Sequence, residues 1–124
     1  MSPLLLVMLG GALGSGGRYL TGRVMSDTLG PAFPYGTLTV NWVGCLFMGI
    51  LAGVLARTGA SEGWRLFIGV GILGGYTTFS SFSLDTITLI ERGQTGIALG
   101  YVALSLLGSL ATLWAGLWVT RIMA

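Results

Sequence analysis

The chain has 124 residues, more than half of them hydrophobic, with six arginines, no lysine or histidine, and four acidic residues. Charged residues make up 8% of it, against about a quarter in soluble domains, so a soluble fold would have to hide four long apolar runs in one small core. Composition therefore predicts an all-α integral membrane protein and excludes a basic nucleic-acid surface, because the formal charge of +2 is scattered over segment ends.

Four apolar segments follow in order: roughly Pro3–Leu20, Gly36–Ala56, Leu66–Ile90 and Gly96–Thr120, each near the ~20 residues that cross a hydrocarbon core. They are read as four transmembrane helices in a single domain, 1–124. The first lacks a basic leader and a small-residue cleavage site before Arg18, so it is expected to be a retained span and not a signal peptide. Asp27-Thr-Leu-Gly-Pro31 and Pro34, the run Arg57 to Arg65, and Glu91-Arg-Gly-Gln94 supply the turns between segments. Glycines four apart (Gly10/Gly14, Gly49/Gly53, Gly71/Gly75 and Gly96/Gly100) predict close helix packing.

With four spans, Arg57, Arg65 and Arg121 fall on one side of the membrane and Arg18, Arg23 and Arg92 on the other. Three against three gives the positive-inside rule nothing to act on. A balanced chain is able to insert both ways and pair as an antiparallel homodimer; the alternative is that the N-terminal amine or the lipid decides one orientation.

Polar groups inside the segments carry the chemistry. In the second, Thr37 and Asn41 share a helix face, and a carboxamide in hydrocarbon needs partners, whether as an interhelical clamp or in a conduit. The third holds Gly69-Val-Gly-Ile-Leu-Gly-Gly-Tyr-Thr-Thr-Phe-Ser-Ser-Phe-Ser-Leu-Asp85, which is written like a loop at membrane depth. Gly74 and Gly75 are free to leave helical dihedrals, and the β-branched and aromatic residues after them disfavour helix. Irregular backbone there survives only against protein or a water-filled path, so the stretch is either a glycine-rich packing seam or a helix broken near the midplane at an ion site. In the fourth, Tyr101, Ser105 and Ser109 form a stripe at i, i+4 and i+8. Asp85 is the one acidic group well inside an apolar run, whereas proton-coupled carriers rely on intramembrane carboxylates or histidines. Neutral donors suit an anion instead, and the positive ring edges of Phe79 and Phe82 fit the same logic, with plain packing as the alternative. The single cysteine, Cys45, excludes an intrachain disulfide.

Three blocks, Gly10-Gly-Ala-Leu-Gly-Ser-Gly-Gly-Arg-Tyr19, Gly36-Thr-Leu-Thr-Val-Asn-Trp-Val-Gly44 and Gly74-Gly-Tyr-Thr-Thr-Phe-Ser-Ser-Phe-Ser83, together resemble the signature blocks of the Fluc (CrcB) fluoride channels over nearly the whole length. The resemblance implies a non-enzymatic, multi-pass protein of the bacterial inner membrane. It would be an antiparallel dual-topology homodimer with two fluoride pores and one central structural sodium ion. It places Phe79, Phe82, Asn41, Thr37, Ser81, Tyr101, Ser105 and Ser109 along the pore and Arg18 near its vestibule. The backbone carbonyls of Gly74 and Thr77 would hold the sodium. Two positions depart from the pattern: Asp85 stands where many members carry Glu, and Leu113 interrupts the hydroxyl series one turn beyond Ser109. Two rivals from other classes are a proton-coupled small multidrug exporter, whose first-span glutamate is absent, and a non-transporting accessory subunit, which has no need of aligned polar stripes.

Overall fold

The computed structural model describes residues 1–122, and among these every regular element is helical. Helix α1, Pro3–Leu29, opens with Ser2, whose hydroxyl accepts from the Leu5 N–H at 3.2 Å, and with proline at the first helical position. It runs well past the expected end at Leu20 and stops at Gly30, at φ +88°, followed by Pro31. Helix α2, Tyr35–Thr58, ends on Gly59 in the left-handed conformation, whose N–H returns to the Leu55 carbonyl. The third segment begins as α3, Glu62–Trp64, continues as a π-helical stretch, Arg65–Leu73, and returns to a single turn, α4, Gly74–Tyr76. After a break it resumes as α5, Phe79–Glu91, and α6, Thr95–Ile122, completes the bundle.

Three of these stretches, Tyr35–Thr58, Glu62–Glu91 and Thr95–Ile122, are long and apolar enough to cross a bilayer. Helix α1, with 27 residues, has the length but is not among them, because its glycines with Arg18, Arg23 and Asp27 dilute its apolar character. Leu4, Met8, Leu13, Leu107, Leu110 and Trp114 are all exposed, an arrangement that suits a lipid solvent and not water.

Two backbone seams hold the bundle. In the first, α1 lies along the π-helical stretch and α4: a Cβ on Gly10 or Gly14 would strike the carbonyls of Phe67 or Ile72, and one on Gly75 would sit 2.8 Å from the Gly11 oxygen. In the second, α2 lies along α6, where Gly49 abuts the Leu113 carbonyl and Gly53 the Thr120 side chain. These contacts match three of the expected glycine pairs. Gly96 and Gly100 do not behave alike: nothing approaches them within 4 Å, and Gly108 and Gly116 make the close approaches of α6 instead.

The break falls in the later half of the expected stretch. Gly74 is right-handed helical, at φ −63° and ψ −38°, and belongs with Gly75 to α4. The chain leaves the helix at Thr77, φ −83° and ψ 158°, and Thr78, φ −153° and ψ 120°. Two consecutive β-branched residues prefer extended backbone, and the glycines serve close approach to α1. Phe82, Leu89, Ala98 and Tyr101 form the buried apolar cluster behind the break, with Phe33 edge-on to Tyr101 at 5.4 Å.

Candidate functional site: two cavities flanking a broken helix

Breaking the third segment strands backbone groups, and the sequence provides for several of them locally. Thr78 caps α5, its hydroxyl accepting from the Ser81 N–H at 3.1 Å. Asn41 of α2 meets the same residue twice: its Oδ1 accepts from the Thr78 N–H at 2.8 Å and its Nδ2 donates to the Thr78 carbonyl at 3.1 Å. Arg18 of α1 donates from Nε to the Gly75 carbonyl at 3.2 Å. In a continuous helix the Thr78 N–H would return to the Gly74 carbonyl, and the Ser81 N–H to the Thr77 carbonyl. Both donors are diverted to side chains, so the carbonyls of Gly74 and Thr77 lose their helical partners.

The expected site residues fall into two cavities. A groove of about 300 Å³ between α2, α5 and α6 gathers Asn41, Phe79, Phe82, Ser105 and Ser109. Ser105 is 4% exposed and its hydroxyl has no protein hydrogen-bond partner, a condition that costs roughly 1–3 kcal/mol unless something else supplies one. The rings of Phe79 and Phe82 stand 5.5 Å apart at 54°. Phe82 is buried, whereas Phe79 is 72% exposed on the surface of the protomer. The second cavity, a cleft of about 430 Å³, holds Arg18, Thr37 and Ser81 together with Arg23. Thr78 lines both, so the two spaces lie on either side of the break.

Tyr101 lies in neither cavity. It is fully buried, and its hydroxyl donates to Asp85 Oδ2 at 3.1 Å, so the fourth-segment stripe divides into a structural tyrosine and two groove serines. Thr78 and Cys45 line the groove without having been singled out from the sequence. Thr78 carried a signal, being a threonine that opens an apolar helical run, and Cys45 stands four residues after Asn41 on the same helix face.

Replacing Asn41 with alanine strands both the N–H and the carbonyl of Thr78, at about 1–3 kcal/mol each. Asn41→Ala is therefore expected to lower the detergent-solubilised protein's unfolding free energy by about 2 kcal/mol or more. Asn41→Asp, which keeps the acceptor, should fall between it and the parent. Denaturation followed by circular dichroism measures this, and an unchanged midpoint for Asn41→Ala would show that the clamp holds nothing.

Residues 5–117 match the family model described as CrcB-like protein, Camphor Resistance (CrcB). A protein of Caulobacter vibrioides named fluoride-specific ion channel FluC is 53% identical over 123 residues, covering 98% of this chain and 97% of that one. Proteins of the same name from Sphingopyxis alaskensis and Mesorhizobium japonicum are 52% and 48% identical over 122 and 121 residues, each covering 98% of this chain and 97% and 98% of their own length. An all-helical chain with its break, clamp and uncharged groove, matched at this level from end to end, belongs to the CrcB family of membrane channels.

Proposed function

We propose that the chain is a passive fluoride channel that lets the anion leave the bacterial cytoplasm across the inner membrane. The observation that carries the reading is the uncharged groove in which the buried Ser105 hydroxyl lacks a protein partner, beside Asn41, Ser109 and the paired phenylalanines. The relatives named as fluoride-specific channels support the choice of ion. Arg18 and Arg23 give the cleft a positive potential that draws anions in, past Thr37 and Ser81. At Thr78 the ion passes from cleft to groove, where amide and hydroxyl hydrogens replace its water. Asn41 keeps one amide hydrogen beyond those in its clamp, and Ser105 and Ser109 continue the series. Neutral donors hold an anion well enough to admit it and weakly enough to release it. Purified chain in liposomes is expected to release fluoride without a proton gradient, and Phe79→Ile, which deletes an exposed ring edge, should slow that release at least tenfold while assembly persists. If the parent releases no fluoride the channel reading fails; if Phe79→Ile conducts like the parent, the ring takes no part.

The working unit we propose is an antiparallel dual-topology homodimer, with four spans in each protomer and two pores. The groove is walled by one protomer on one side only, with Phe79 at its exposed edge and the Gly74 backbone exposed at the break, and both features suit cover by a second copy. The arginines, balanced three against three, suit insertion in both directions. Single cysteines introduced into each loop on a Cys45→Ser background should label from both faces of the membrane with an impermeant maleimide. Labelling of every loop from one face alone rules this assembly out.

A sodium ion, one per dimer, fits at the two breaks. The Gly74 and Thr77 carbonyls are among those that lose their helical donors, and a twofold crossing would bring four such oxygens to one point. Oxygen ligands without a carboxylate suit a hard monovalent cation. Once bound, the ion would offset the dipoles of the freed carbonyls and tie the two breaks together. The Thr77 hydroxyl is already spent on the Leu73 carbonyl at 3.0 Å, so Thr77→Ser should be tolerated. The thermal midpoint of the purified dimer is expected to rise with sodium at constant ionic strength and not with potassium. Equal midpoints in the two salts would remove the cation.

A further inference from the structure

Helices α2 and α6 run parallel, since Trp42 Nε1 donates to the Leu104 carbonyl at 2.9 Å, Gly49 abuts Leu113, and Gly53 abuts Thr120. In that register the polar residues of α2 at four-residue spacing (Thr37, Asn41 and Cys45) stand against those of α6 (Tyr101, Ser105 and Ser109). Each pair has the same sequence offset that relates Gly49 to Leu113. Thr37 and Tyr101 form the first rung, Asn41 and Ser105 the second, and Cys45 and Ser109 the third. The fourth rung is the closed backbone contact of Gly49 with Leu113. Cys45 and Ser109 line the same groove as the unpartnered, nine-tenths buried Ser105 hydroxyl.

We propose that Cys45 is a pore-lining residue, its thiol forming with Ser109 the last polar rung before the α2–α6 seam closes, where the anion passes from this protomer's wall to the open side of the groove that a second copy covers. This rests on the channel reading above and adds a residue to it. The S–H is a weak donor, weaker than the Asn41 amide and the Ser105 hydroxyl before it, so it admits the anion without trapping it at this depth. Leu113, which interrupts the hydroxyl series of α6, lies beyond this rung at the seam, so an ion that crosses to the open side at Cys45 does not pass it.

Cys45 is the sole cysteine, so a thiol reagent reads it without background. Methyl methanethiosulfonate forms a mixed disulfide by attack of the Cys45 thiolate on the reagent's sulfenyl sulfur, releasing methanesulfinate and adding one S-methyl group. Liposomes holding the parent chain are treated, assayed for fluoride release, and analysed by mass spectrometry. Expected are one added group per chain, a loss of release of at least tenfold, and recovery after dithiothreitol. The same reagent should leave the rate of Cys45→Ser where it stood. Full modification with unchanged release overturns the proposal, as does failure to modify the folded protein under conditions that modify it once unfolded. Loss that reduction does not reverse, or that also strikes Cys45→Ser, places the effect elsewhere and overturns it too. Untreated liposomes that carry no fluoride would sink the channel reading itself, and the proposal with it.

Discussion

The two hydrogen bonds between Asn41 and the backbone of Thr78 are the interaction on which the rest of the site depends. Within a bilayer an interrupted helix has no water to satisfy its loose ends, and each stranded group costs several kcal/mol. A carboxamide answers an exposed N–H and C=O at once because it carries both complements side by side. By taking the Thr78 amide it stops α4 from running into α5. By holding the Thr78 carbonyl it fixes the angle at which α5 leaves, and with it Phe79 and Phe82 one turn further on. Arg18 and the Thr78 hydroxyl complete the arrangement from either side. One asparagine thus joins the second segment to the third and lends its amide edge to the groove.

The two glycine seams answer a different need. Lipid tails are as apolar as leucine, so helices in a bilayer gain little from hiding leucines from one another and associate through close backbone contact. Seating α1 against residues 65–76, and α2 against α6, leaves the long side chains pointing outward and the polar ones along the line where α2, α5 and α6 meet. The same closeness fixes the register of α2 on α6, because Gly49 and Gly53 accept the Leu113 carbonyl and the Thr120 side chain only in one alignment.

Much of this was legible in the chain. Helix content, the turns and most of the groove residues followed from hydropathy, from glycine and proline punctuation, and from four-residue polar spacing. The rest turned on competition that spacing does not record. Gly74-Gly75 and the β-branched residues after them read together as the break, but glycine only permits one, and it was the preference of Thr77 and Thr78 for extended backbone that set its place. Gly96/Gly100 looked like a packing pair, but a small-residue motif packs only when it faces a partner, and in this protomer it faces away. Tyr101 kept the period of the serine stripe while its ring filled the core and its hydroxyl found Asp85. No local signal announced the π-helical winding of Arg65–Leu73, which lies along α1.

The groove is lined by amides, hydroxyls, a thiol, rings and leucines, with no charged side chain among them. A wall made only of dipoles would offer an anion inside it no charged side chain as a partner. Two anions ~8 Å apart at an effective dielectric constant of ~20 repel by about 2 kcal/mol, and no charged side chain in the wall offsets it. Such a groove would be self-limiting in occupancy: a second arrival would raise the energy of the first and speed its departure.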